Sequence, residues 1–203
     1  MLQISSRPIG KGKERACYIH PEDPRKAIKI SMGKVNEQTR RDIKFYRKLA
    51  RRSIGENRHI PKFYGLCETN LGKGIVVDLI RNYDGEISRP LNWYLAQGVP
   101  IEEFDVYLEE LKHSFLQNLI IFNHDMTIGN LLFQRYSTSS ARLIAIDGLG
   151  DVVALDWLNR FPFLVRRKIR RRWARFIARV YRTREVNQQR EAVRAESVQG
   201  NQP

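Results

Sequence analysis

Cysteine is scarce in this 203-residue chain. Only Cys17 and Cys67 occur, with neither the spacing of a redox pair nor a neighbouring cluster of His or Cys that could hold zinc. Reduced, buried thiols in a cytoplasmic protein follow. Long apolar runs are missing as well: the best of them, GIVVDLI and FLQNLIIF, are far too short to span a bilayer. The opening stretch MLQISSRPIGKGKERAC lacks the apolar centre of a secretory signal, so neither export nor membrane spanning is expected. No internal repeat and no biased composition is present, and 42% apolar content over this length fits one globular unit or two closely packed lobes with a substantial core. Acidic residues are absent from one stretch. Between Arg160 and Arg184 there are 11 Lys or Arg and no Asp or Glu, so of the net charge of +14 only +3 belongs to the rest of the chain. The charge marks a segment, not the whole domain.

Residues 2 to 30 read as three short strands, LQISSRPIG, RACYIH and KAIKIS, with HPEDP as the second turn. Residues 36 to 52 place Ile43, Tyr46 and Ala50 at helical spacing, with Asn36 as a candidate N-cap. IPKFYGLCET and GIVVDLI follow as antiparallel strands around NLGKG. The polar stretch RNYDGEISRP, from Arg81 to Pro90, marks a junction between two lobes. Beyond it, Phe104, Leu108, Leu111, Phe115, Leu119 and Phe122 recur at three- and four-residue steps and predict a helix over 101–123. LLFQ and RLIAI then flank the loop RYSTSSA as strands. Near the end, Ile169, Trp173, Phe176, Ile177 and Val180 share one helical face opposite the arginines, before a polar tail from Glu185.

The chemistry concentrates on either side of that last hairpin. HDMTIGNLLF sets the Asp125 carboxylate and the Asn130 carboxamide in a loop between the long helix and a strand, and Asp147 leaves the next strand directly into Gly148. Taken singly, these are an ordinary turn cap, an Asx turn and a strand end. Taken in order, they match a kinase catalytic loop and a DFG-like site in spacing and context. Asn130 and Asp147 supply the hard oxygens that Mg2+ prefers, leaving Asp125 to orient a hydroxyl nucleophile. Upstream, Gly10 and Gly12 lie in a hairpin where backbone amides could approach a phosphate, a weak signal by itself. Lys29 in KAIKIS lies on a strand expected to be largely buried, where a lysine needs an anion. ATP phosphates are one candidate, with Glu37 or Asp42 on the following helix to hold the ammonium; the spelling A-I-K resembles V-A-I-K.

Together these residues resemble protein kinases, and more closely the YrbL family of PhoP regulatory network proteins, which are small bacterial kinase-like proteins. The resemblance runs through GKGKERACYIHPED, KAIKI, RRDIKFY, IPKFYGLCET with GKGIVVDLI, GNLLF and IDGLGD. It implies an α+β, protein-kinase-like two-lobed fold. The N-lobe, an antiparallel sheet with one helix, would span 1–80, a reduced and mainly helical C-lobe 81–184, and a polar tail 185–203. It implies ATP and Mg2+ as cofactors, with Lys29 on the nucleotide's phosphates, Asp42 as its helix acid with Glu37 as the alternative, and backbone groups from Asp78 to Ile80 reading adenine. The pattern also departs from the family of kinases at large. Arg15 stands where a third loop glycine is expected, which would loosen or reshape phosphate binding. Asp42 is one methylene shorter than the usual Glu, and Thr127 replaces the usual Lys two residues after Asp125, as in some small-molecule kinases. Only 56 residues follow Asp147, too few for a long activation segment and a full helical lobe.

Two functions from different classes follow: a kinase-like phosphotransferase acting on a hydroxyl of a protein, a sugar or a lipopolysaccharide core, and a nucleotide-binding pseudokinase that signals by protein contact. The basic segment 160–184 reads first as an ordinary helix with a solvated face, next as a contact for an anionic membrane surface or lipopolysaccharide, and last as a nucleic-acid contact. A cytoplasmic location, peripheral at the inner membrane surface where that segment binds lipid, is the corresponding expectation.

Overall fold

The computed structural model describes residues 1–12, 15–31, 37–51, 57–123, 126–150 and 161–199. Its first half is a five-stranded antiparallel sheet of β1 (Gly10–Lys11), β2 (Arg15–Ile19), β3 (Lys26–Ser31), β4 (Phe63–Thr69) and β5 (Gly72–Asp78), in the order β1-β2-β3-β5-β4. Helix α1 (Glu37–Arg51) connects β3 to β4. Residues opposite one another in an antiparallel pair share a face of the sheet. The register therefore puts Arg15, Cys17, Ala27, Lys29, Ile75 and Val77 on one side, and Ala16, Ile28, Ile30 and Val76 on the other. Ile28, Ile30 and Val76 close a small cluster with Ile4, whereas Ala27, Ile75 and Val77 join the main core. Tyr46 of α1 stacks on Phe63 at 5.0 Å and fastens the helix to the side that carries Ala27 and Val77.

The second half holds β6 (Arg89–Pro90), α2 (Leu91–Ala96), α3 (Asp105–Gln117), β7 (Leu131–Arg135), β8 (Ala141–Ala145) and α4 (Pro162–Gln199), with β6, β7 and β8 forming a three-stranded sheet. Leu108, Leu111 and Phe115 face inward from α3, and Val165, Ile169, Trp173, Phe176 and Val180 from α4, each set at helical spacing. Their rings interlock: Phe122 meets Phe115, Trp173 and Phe176 at centroid distances of 5.9, 5.9 and 6.3 Å. One continuous core links these residues to Ala27, Tyr46 and Val77 of the first half, so the two halves share their interior.

The element order follows the sequence reading, with four differences. LQISSRPIG does not form a strand of its own: Leu2 makes an isolated bridge to Thr69, and the Ile4 N–H bonds to Asn70 Oδ1 at 2.7 Å rather than to a neighbouring strand. The helix expected over 101–123 begins as a 3-10 turn (Ile101–Phe104) and ends at Gln117. Leu119 adopts the left-handed region at φ 51, and the Ile120 N–H reaches back to the Phe115 carbonyl at 2.9 Å, a helix-ending bond usually associated with glycine. Strand β6 and helix α2 lie in and just beyond the stretch read as a junction. Finally, α4 continues through 185–199, where a polar tail was expected; no Pro or Gly interrupts it before Gly200. Asn36, the expected cap of α1, lies outside the described residues. No helix among the described residues is long and apolar enough to cross a membrane.

Candidate functional site

Four segments far apart in sequence bring charged side chains to one buried place. Lys29 comes from β3, Asp42 from α1, Asp147 from the residue pair after β8, and Arg15 from the start of β2. Arg15 and Lys29 are only 7% and 8% exposed. Ions so removed from water are costly unless paired or hydrogen-bonded, and here Arg15 is ion-paired and Lys29 hydrogen-bonded. One nitrogen of the Arg15 guanidinium donates to Asp42 Oδ2 at 2.5 Å and the other to Asp147 Oδ2 at 2.6 Å. The planar fork of a guanidinium is suited to bridging two carboxylates. Lys29 Nζ donates to the Ile146 carbonyl, which places its ammonium beside the Asp147 backbone.

This differs from the direct Lys29–Asp42 pair that the resemblance implies. The hydrogen-bonded partner of Asp42 is Arg15, two residues along β2 from the strand partner of Lys29; Lys29 acts on Asp42 only at longer range. Glu37, the alternative acid, is placed on the backbone of α1, but its side chain lies outside the described residues. Burial pushes the Asp147 carboxyl up, but Lys29, Arg15 and the Gly148 N–H outweigh it and hold the group below the usual carboxylate range. For Arg15, burial works against the charge, and Asp42 and Asp147 more than restore it. Burial raises the Asp42 carboxyl against the pull of Lys29 and Arg15.

Asp147 is positioned by its neighbours. Its Oδ1 accepts the Gly148 N–H at 2.7 Å, and Gly148 then turns through φ 73. Leu149 bridges to Phe122, the Gly150 N–H donates to the Ile121 carbonyl, and the Asn123 N–H donates to the Gly148 carbonyl. The segment after Asp147 is thus laced to the one that follows α3. Gly150 is required here: its φ is +83, and a Cβ would stand 3.3 Å from Cβ of Phe45 on α1. Asn130, in a 3-10 turn (Ile128–Asn130) before β7, is brought alongside because its carbonyl accepts the Ile146 N–H at 2.9 Å. A carboxylate and a carboxamide oxygen are the hard donors that suit Mg2+, so the donor set fits that metal in kind. Asp125, the expected base, lies outside the described residues.

Gly10 sits exposed in β1, where a Cβ would meet nothing within 4 Å, and Gly12 would meet only the Arg15 carbonyl at 3.6 Å; neither glycine is required by packing. At the expected adenine-reading segment, several backbone groups are committed within the chain. The Asp78 N–H bonds to Lys62, the Leu79 N–H to Arg25, and the Ile80 carbonyl accepts from Ser88. The Asp78 carboxylate accepts from the Lys62 N–H and the Tyr64 hydroxyl, both at 2.8 Å.

Arg15 is the residue that spacing did not single out as functional. The signal was present, since an arginine on a buried strand face needs an anion for the same reason as Lys29. From α4, Arg172 and Arg179 donate to the carbonyls of Phe122 and Met126, contacts that the sequence reading did not anticipate.

Known proteins similar to this chain fall into two groups. A family model described as PhoP regulatory network protein YrbL matches residues 3–181. The chain is 32% identical over 185 residues to the uncharacterized protein YrbL of Escherichia coli (strain K12), covering 88% of this chain and 87% of that protein, and equally similar to the Shigella flexneri protein of that name. It is also similar to two crystal structures of mutant PknI kinase domain from Mycobacterium tuberculosis, at 16% and 18% identity and TM-scores of 0.47 and 0.48. Those matches cover 70% of this chain, which spans 57% and 56% of the length of the two kinase-domain chains. The antiparallel sheet with one intervening helix, followed by a half that joins helices to a small second sheet, is an α+β fold. The chain belongs to the YrbL family of PhoP regulatory network proteins.

Proposed function

We propose that this protein is an ATP- and Mg2+-dependent kinase-like phosphotransferase acting on a hydroxyl acceptor. The observation that carries this reading is the cluster of buried Lys29, Arg15 and Asp42 with the half-buried Asp147, assembled from four separate segments. Stability alone is a poor reason to keep four ions there, since buried pairs seldom outdo apolar packing, whereas polyphosphate chemistry requires such groups. Asp147 and Asn130 would hold the metal, which when bound neutralises phosphate charge. Lys29 would bind phosphate oxygens, the open space over Gly10 would admit them, and Asp125 would orient the acceptor hydroxyl. Backbone groups between Asp78 and Ile80 that are not already committed would read adenine. Purified protein is expected to turn over ATP in the presence of Mg2+, and Asp125→Ala to lower that turnover by roughly 10²-fold or more. Nucleotide binding by the wild type without any turnover would instead favour the second reading, a nucleotide-binding pseudokinase, which the Arg15 contact on Asp147 supports.

The basic face of α4 carries a separate proposal. Arg167, Arg170, Arg171 and Arg175 are exposed, and Phe161 and Phe163 stand 44% and 64% exposed at the helix start. Basic side chains beside exposed rings suit an anionic lipid surface, which would place the protein at the inner face of a membrane. Vesicles containing anionic phospholipid are expected to retain the protein at low salt and release it at high salt, and Arg170→Glu with Arg171→Glu to weaken retention. Equal retention by neutral vesicles would contradict the proposal.

A further inference from the structure

We infer that Arg15 is a resident counter-ion which guards Asp147 against a divalent cation until a polyphosphate ligand arrives. The inference rests on the reading of Asp147 as a metal ligand and concerns what controls that ligand. Both Asp147 oxygens are engaged: Oδ1 with the Gly148 N–H, and Oδ2 with Arg15 at 2.6 Å. The guanidinium held against Oδ2 sets a positive charge beside the carboxylate where a cation bound to it would have to come close. The charge balance points the same way. Among the described residues of the cluster, two cations (Arg15 and Lys29) stand with two carboxylates (Asp42 and Asp147), so a bare divalent cation entering it would add two positive charges beside two existing ones in a setting poorer in water than the surface.

A polyphosphate changes both conditions. It supplies the negative charge that makes a third cation tolerable, and it offers the guanidinium an alternative acceptor of matching geometry. Arg15 can turn toward the phosphates while staying on β2, releasing Asp147 Oδ2. The substitution of a bulky cation for the third loop glycine thereby gains a role: metal and nucleotide bind together, and neither carboxylate is left uncompensated when both are absent. The fork also explains why lysine would not serve, because one ammonium is poorly shaped to bridge two carboxylates held by different elements.

Thermal unfolding of the wild type, Arg15→Gln and Arg15→Lys, each in metal-free buffer, with Mg2+ alone, and with Mg2+ plus ATP, tests this. The wild type is expected to gain Tm only with Mg2+ plus ATP. Arg15→Gln is expected to melt lower in metal-free buffer and to regain about 3–6 °C with Mg2+ alone, at roughly ten times its Kd for the cation. Should Arg15→Gln fail to fold, Arg15→Lys decides, and it too is expected to respond to Mg2+ alone more than the wild type does. Equal responses to Mg2+ alone in the wild type and the folded variants would overturn the inference, even with the wild-type response to Mg2+ plus ATP intact. Absence of any wild-type response to Mg2+ plus ATP would instead remove the nucleotide reading. In that case a Mg2+ response confined to the variants would still uphold competition at Asp147.

Discussion

Replacing Asp42 by alanine is expected to cost about 3–5 kcal/mol of folding stability, the range found when one partner of a buried ion pair is removed. Asp42 and Arg15 are each 7% exposed at the side chain and meet at 2.5 Å. The alanine variant would leave the guanidinium with Asp147 alone, in a place too buried for water to replace the lost partner. Because Asp147 remains, the loss is expected near the lower end. Urea denaturation provides the check, as a shift in midpoint without a change in slope. The double variant Arg15→Met, Asp42→Leu is expected to lose less than the sum of the two single changes, because it removes the stranded charge along with its partner. A loss below about 1 kcal/mol for Asp42→Ala, the value of an exposed pair, would mean that the two side chains are solvated.

Phe122→Ala is expected to be comparably damaging, at about 3–5 kcal/mol, through lost burial and the cavity left behind. The Phe122 ring is 1% exposed and meets Phe115, Trp173 and Phe176. Its backbone matters equally: it bridges to Leu149 and its carbonyl accepts from Arg172. The cavity therefore opens beside the segment that carries Asp147, and the variant is expected to weaken the proposed nucleotide binding as well as folding. Phe163→Ala, at an exposed ring on the same helix as Trp173, is the matched control and is expected to change stability by no more than about 0.5 kcal/mol. Similar losses in the two variants would show that the aromatic cluster around Phe122 does not carry the core.

The sequence made local elements legible where one period dominated. Tyr46 and Ile43 marked α1, the Gly-containing turn NLGKG between IPKFYGLCET and GIVVDLI marked the β4–β5 pair, and the apolar spacing of Ile169, Trp173 and Phe176 marked the buried face of α4. The end of α3 was not legible. Leu119 and Phe122 continue the helical spacing of Leu111 and Phe115, yet residues 120–122 bury their side chains from an extended segment that pairs with 148–150. Periodicity reports burial, and two backbone conformations can bury the same spacing. The site divides in the same way. Lys29, Asn130 and Asp147 announced themselves through local spelling, whereas the role of Arg15 depends on partners 27 and 132 residues away, a relation that only the assembled sheet and the loop after β8 create.

The role proposed for Asp147 is to anchor a metal–nucleotide site. Its most direct test is a thermal-shift titration of the wild type and Asp147→Asn with ATP, ADP and GTP, each with and without Mg2+. A Mg2+-linked rise in wild-type Tm with ATP that disappears in Asp147→Asn is the predicted result. A wild-type Tm unmoved by any nucleotide, or a rise that survives in Asp147→Asn, would contradict it.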